Sequence, residues 1–126
     1  MWWRWTEVDA SSATVWDLLV DLDRWPDWGP SVAGAALDGG GRRLRAGATG
    51  AVRTALGPSL PFAVTEWDDG TAWGWRVAGV PATLHRVEPT GPHTCRVGMG
   101  VPTWAPGYLV VVAVALARIR DLATDT

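Results

Sequence analysis

The rhythm of apolar and polar positions changes three times along the chain. Residues 2–9, WWRWTEVD, interleave tryptophans with polar side chains and predict a first β-strand. Ser11 and Ser12 follow, either able to cap a helix by accepting from the free amides of its first turn. Val15, Trp16, Leu19 and Val20 then recur at helical spacing as far as Leu22, with Asp17 and Asp21 on the opposite, solvated face. Pro26 lacks the N–H that would continue this helix, so DRWPDW at 23–28 is at most a second short helix set at an angle to the first. From residue 31 the texture is that of strands, in runs at 31–38, 48–56, 60–68, 71–79, 82–88 and 94–102. The joints DGGGRR, LGPS, WDDG, AGVPA and PTGPHT carry turn chemistry, which predicts an antiparallel meander and not βαβ units. After Pro106 helical spacing returns and holds to residue 123.

Alternation assigns faces to the strands. Phe62, Val64 and Glu66 share one face of 60–68, Trp73, Trp75 and Val77 one face of 71–79, and Cys95, Val97, Met99 and Val101 one face of 94–102. Arg76 and Arg96 oppose the bulky sets, so the bulky sets are expected to point inward and make a concave apolar surface. In 82–88 Leu84 suits the inside, which leaves His85 outside. The C-terminal helix is the expected cover, with Leu109, Val112, Ala113, Leu116 and Ile119 in one stripe and Tyr108, Val111, Ala115 and Leu122 in another.

Composition narrows the function classes. At 126 residues the chain has room for one core and not two, so 1–126 is read as a single domain. A net charge of −2 with no lysine leaves no electropositive footprint for nucleic acid. Arg42, Arg43 and Arg45 follow three glycines and read as a solvated hairpin tip. The single Cys95 excludes an internal disulfide and favours a reducing compartment. MWWRWTEVD has no apolar core of signal-peptide length, and the longest apolar run, 105–117, is too short to span a bilayer. A cytoplasmic location without stable membrane insertion is expected. Arginine, alanine, glycine and tryptophan abound while lysine, asparagine and glutamine are missing, the pattern of a GC-rich genome, so the 10 tryptophans need not be 10 functional ones. His93 with Cys95, and His85 with Glu88, make no zinc pattern, and LRAGATG lacks the P-loop lysine. No metal and no cofactor are expected.

Four segments carry a family resemblance: VWDLLVDLDRWPDW at 15–28, LRAGATG at 44–50, VTEWDDG at 64–70 and ATLHRVEPTG at 82–91. In their order and spacing they resemble the polyketide cyclase/dehydrase-like family of the START-like (SRPBCC) superfamily, to which the Bet v 1-type proteins also belong. The resemblance covers nearly the whole chain. It implies an α+β helix-grip fold: a strand, two short helices, the meander, then a long C-terminal helix. It also implies a cavity between the curved sheet and that helix, with Trp25 partly in the core and Trp28 nearer the mouth.

An empty apolar void of about 300 Å3 would cost on the order of 7 kcal/mol, against a total stability of about 5–15 kcal/mol. The cavity therefore holds a guest or is filled by the chain's own side chains. A guest would meet Trp25, Trp28, Phe62, Val64, Trp73, Trp75, Leu84, Met99, Tyr108 and Val112, an aromatic wall suited to a flat polycyclic, isoprenoid or polyketide-like molecule. Cyclase/dehydratase chemistry, which the resemblance also implies, needs a base near an acidic methylene and a donor near a carbonyl. Glu66 and Tyr108 are the candidates, with Arg53 or Arg86 to hold an anionic end. The alternative is a non-catalytic lipid carrier or interaction domain whose interior is self-filled, with Val111, Ala115 and Leu122 as a homodimer or partner contact.

Overall fold

The structure, a computed structural model, describes residues 1–125. Strand β1 (Trp2–Val8) leads into helix α1 (Ser12–Val20), whose N-cap Ser11 accepts from the Thr14 amide at 3.3 Å. Asp21 ends α1 and caps a 3-10 turn at Leu22–Arg24; α2 (Trp25–Trp28) follows, with Pro26 in its first turn. Strands β2 (Val32–Leu37), β3 (Thr49–Thr54), β4 (Ser59–Asp68), β5 (Ala72–Val77), β6 (Val80–Gly91) and β7 (Thr94–Val101) form the meander. Strand β1 returns to pair with β7, so the open antiparallel sheet has the order β1-β7-β6-β5-β4-β3-β2. A 3-10 turn at Pro106–Tyr108 starts helix α3 (Leu109–Thr124), which packs on β1, β7, α1 and α2. This is the helix-grip architecture.

A bulge in β4 resets the faces that simple alternation assigns. In β4, Val64 pairs with Trp75 and Glu66 with Gly74, which leaves Thr65 as an extra residue. The phase shifts there: Phe62 and Val64 are buried, but beyond the bulge it is Trp67 that turns inward, its ring 5.4 Å from that of Trp16, and Glu66 is exposed. A second irregularity lies between β5 and β6, where Gly74 pairs with Leu84 and Arg76 with Pro81. In β6 Thr83, His85 and Val87 are buried, and Leu84 is on the outer face over Gly74. The inward placement expected of Glu66 and Leu84, and the outward one expected of His85, are thus all reversed.

Helix α3 presents Val112, Ala115, Leu116 and Ile119 to the core at i, i+3, i+4 and i+7. Ala113, expected inside, is exposed. Ala115, expected on an outer contact stripe, is buried, and Val111 and Leu122 are half-buried, so those three do not form a free homodimer surface. The exposed apolar positions are Val110 and Val114.

The chain's amino-terminal tryptophans cover the back of the sheet. Trp3 pairs with Gly100 and Trp5 with Gly98, and each indole lies over its glycine. A methyl group on Gly98 would fall 2.5 Å from the Trp5 ring. The two indoles stack at 5.5 Å, and the Arg96 guanidinium sits 4.4 Å from the Trp5 ring centre. The β2–β3 loop is not a free tip either. Its backbone bonds to the end of α1 through Leu44 N to Val20 O at 2.8 Å and Leu22 N to Arg42 O at 2.7 Å. Arg42 and Arg43 reach back to Asp21 and Asp17, and the bond from Arg42 holds the Asp21 carboxyl below its ordinary range.

Candidate functional site

The space between sheet and α3 is filled by aromatic side chains. Trp25 is stacked with Trp73 at 5.6 Å, and the edges of Phe62 and Trp75 close in at 5.8 Å and 5.4 Å. The WPDW corner explains how two indoles are held here. Trp25 Nε1 donates to Leu19 O at 2.9 Å and Trp28 Nε1 to Leu18 O at 2.8 Å, so both side chains are pinned to the end of α1 and both are buried. Burial of an indole with its N–H satisfied is stabilising packing. The void left between these rings, Met99 and Val112 is about 40 Å3. No guest of the expected size enters it.

His85 lies in this wall, opposite Trp73 in the sheet register and stacked on its ring at 3.8 Å. Trp28 meets it edge-on at 6.1 Å. Its Nδ1 faces the Trp73 carbonyl at 3.2 Å and so carries the proton; Nε2, 3.3 Å from Thr83 Oγ1, is left to accept. Thr83 Oγ1 in turn accepts from Trp75 Nε1 at 3.0 Å. Each polar atom of the Trp75–Thr83–His85 relay is engaged with the imidazole neutral. Burial pushes the His85 pKa down to about 3, with the bond to the Trp73 carbonyl opposing that shift. Trp73 Nε1 has no hydrogen-bond partner among the described residues.

Beyond Trp75 the interior opens. A cleft of about 600 Å3 lies at the amino-terminal end of α3. Val52 and Leu60 form one wall, from β3 and β4, and Trp75, Val77, Ala82 and Thr83 the floor, from β5 and β6. Val32, Trp104 and Tyr108 close the helix side, and Leu56 and Val80 stand at the hairpin tips. Tyr108 Oη and Ser31 Oγ are hydrogen-bonded to each other at 2.8 Å on its rim. The volume falls within the roughly 300–1,000 Å3 usual for small-molecule sites. A groove of about 570 Å3 at the other end of α3 includes Glu7, Asp9 and Arg120 in its lining and has no comparable apolar wall.

Of the residues expected to line a site, only Trp75 and Tyr108 border this cleft. Trp25, Trp28, Trp73, Met99 and Val112 surround the small inner void, and Phe62 and Val64 are core. Leu84 lies in a separate groove on the outer face, with Glu66 and Arg86. Glu66 and Tyr108 are therefore not brought together, because the Thr65 bulge sends the carboxylate to the far side of the sheet. Arg53, exposed on β3, donates to Ala33 O at 3.2 Å. Val77 was expected on the inner face, though not as a site residue; Val52, Leu60 and Trp104 escaped the sequence reading. Val52 and Leu60 were legible as inward positions of their strands, but Trp104 sits in a loop with no periodicity to place it. Among the described residues no group of three His, Cys, Asp or Glu side chains is placed to hold a metal ion, and no helix is long and apolar enough to cross a membrane.

A curved antiparallel sheet closed on one long helix, with a cleft at the helix's first turn, defines a helix-grip protein of the Bet v 1 type. Solved structures share the whole arrangement at low identity. The protein XoxI from Bacillus cereus is 16% identical with a TM-score of 0.73, over 98% of this chain and 95% of that one. Truncated norcoclaurine synthase from Thalictrum flavum is 14% identical with a TM-score of 0.63, over 99% and 93%. The Aha1 dimer from Colwellia psychrerythraea is 17% identical with a TM-score of 0.68, over 98% and 95%. The family described as polyketide cyclase / dehydrase and lipid transport matches residues 5–122, and the chain belongs to it. No curated protein matches the chain.

Proposed function

We propose that the protein binds a hydrophobic small molecule in the cleft at the start of α3, as a carrier or sequestering protein. The observation that carries this reading is the cleft itself, about 600 Å3 of largely apolar wall beside an interior closed to guests. Membership of a family described by polyketide cyclisation and lipid transport supports it. Binding is favoured over cyclisation because a cyclase needs a base, and among the described residues no carboxylate lines the cleft. His85 is a poor base near neutral pH, with its pKa at about 3 and its lone pair held by Thr83. Tyr108 is the one expected catalytic group at the cleft, and its hydroxyl serves to orient a ligand.

Mass spectrometry of an organic extract of the denatured protein, with a thermal-shift panel of aromatic polyketides, steroids and isoprenoids, tests the proposal. A ligand at about 100 times its Kd raises stability by about 2.7 kcal/mol. Ala82→Trp, which narrows the floor, is expected to reduce both the shift and the amount of co-purified compound. No compound and no shift with any class would refute the reading.

A further inference from the structure

Charge is distributed unevenly around the cleft. None of the chain's 11 arginines or 13 acidic residues is among the residues that line it. The two arginines nearest in sequence point elsewhere and are engaged. Arg53 alternates with the inward Val52 and donates to Ala33 O, and Arg76 alternates with Trp75 and Val77 and donates to Gly79 O at 3.2 Å. The hydroxyls on the wall are largely spent as well. Thr54 donates to Pro58 O at 3.0 Å, Thr83 to His85 Nε2, and Ser31 and Tyr108 share one bond. An anion drawn into this cleft would give up its hydration and find no cation in return, only the spare hydroxyl hydrogen of the Ser31–Tyr108 pair and the Trp104 N–H as neutral donors, and an unpaired charge is the costliest group to bury.

We infer that the cleft selects uncharged ligands and discriminates against carboxylates, sulfonates and phosphates of the same shape. The inference rests on the ligand-binding reading and narrows it to neutral polycyclic or isoprenoid compounds. Two dyes isolate the charge. N-phenyl-1-naphthylamine is 8-anilinonaphthalene-1-sulfonate without its sulfonate, and both are small enough for the cleft to take whole.

Fluorescence titration of the full chain near pH 7 is expected to give a Kd at least about tenfold lower for the neutral dye, a difference of about 1.4 kcal/mol. Ala82→Trp is expected to weaken neutral-dye binding by a similar factor, which places it in the cleft. Val80→Arg, at the mouth, is expected to tighten the sulfonate dye by about tenfold and narrow the ratio. Equal or tighter binding of the sulfonate dye by the unmodified protein, or no gain in Val80→Arg, would overturn the inference and leave the binding reading standing. Failure of both dyes to bind, or neutral-dye binding unaffected by Ala82→Trp, would remove the binding reading and this inference with it.

Discussion

Acidification from about pH 7 to about pH 5 is expected to destabilise the fold through His85. In the unfolded chain the imidazole titrates at about 6.5. In the folded protein burial against Trp73 and Trp28 holds it at about 3, with both ring nitrogens already committed. Above about pH 6.5 neither state carries the proton, and the residue adds no pH dependence. Below it the unfolded chain binds a proton that the folded chain refuses, so stability falls as pH falls, by up to about 1.4 kcal/mol per pH unit, until the folded pKa is reached. Between about pH 7 and about pH 5 the loss is about 2 kcal/mol. Asp21, held low by the bond from Arg42, keeps its contribution through this window and loses it only at lower pH.

Urea denaturation followed by tryptophan fluorescence at several pH values reads the slope directly. His85→Leu is expected to abolish most of it, whatever that variant does to stability near pH 7, because the slope reports protons and not packing. A flat profile in the unmodified protein would refute the reasoning. So would a slope that survives in His85→Leu, since the proton uptake would then belong elsewhere.

Other substitutions separate packing from binding. Gly50→Ala is expected to cost about 3 kcal/mol or more, read from the urea midpoint, because its methyl would lie 2.2 Å from the Ala36 carbonyl oxygen, in backbone that has nowhere to move. Trp25→Ala is expected to cost about 3–5 kcal/mol, since it empties the centre of the aromatic stack. Trp104→Ala, at a side chain 67% exposed, is expected to stay within about 0.5 kcal/mol while weakening ligand binding in the titration. Ala78→Asn is expected to raise the melting temperature, with a gain of about 0.5–1 kcal/mol. Ala78 sits at φ 51° in the two-residue β5–β6 turn beside Gly79 at φ 77°, a pairing that favours Asn-Gly.

The order of elements was legible because each rests on a local signal: Ser11 as cap, Pro26 as break, the turn-rich joints, and the helical spacing after Pro106. Faces were legible only where strands stay regular. Trp73 and Trp75 in β5 and Val97 and Met99 in β7 point inward as alternation requires. Thr65 is where the same rule failed for Glu66, because a bulge adds a residue without a mark in the hydropathy pattern. Leu84 and His85 failed for a different reason. A leucine is the better inward residue by hydrophobicity, but the register pairs His85 with the inward Trp73, and an imidazole with both nitrogens satisfied stacks there without leaving a polar atom unpaired. The glycines facing Trp3 and Trp5 carry no side-chain signal, so the outer role of those indoles appears only once β1 is paired with β7.

The filled middle and the open end follow from one gradient in side-chain volume along the sheet. At Trp25 and Trp73 the strands and α2 supply indoles, and α3 answers with small residues, Val112 and Ala115, so that ring and helix surface meet with about 40 Å3 to spare. Towards the β3–β4 and β5–β6 hairpins the same inner face is made of Val52, Leu60, Val77 and Ala82, and it is met by Pro102, Trp104, Ala105 and Tyr108, ahead of α3. The segment there is PTWAPG, at 102–107, whose prolines delay the start of α3 until Leu109. Small side chains facing a short loop cannot close the gap that large side chains close against a helix. Trp75 borders both spaces together with Ser31, Val32, Thr83 and Tyr108, and the partition is tied by two hydrogen bonds, Trp75 N–H to Thr83 and Ser31 with Tyr108. The apolar end of the interior is thereby set apart from the filled aromatic core, over a tryptophan that the sheet holds in place.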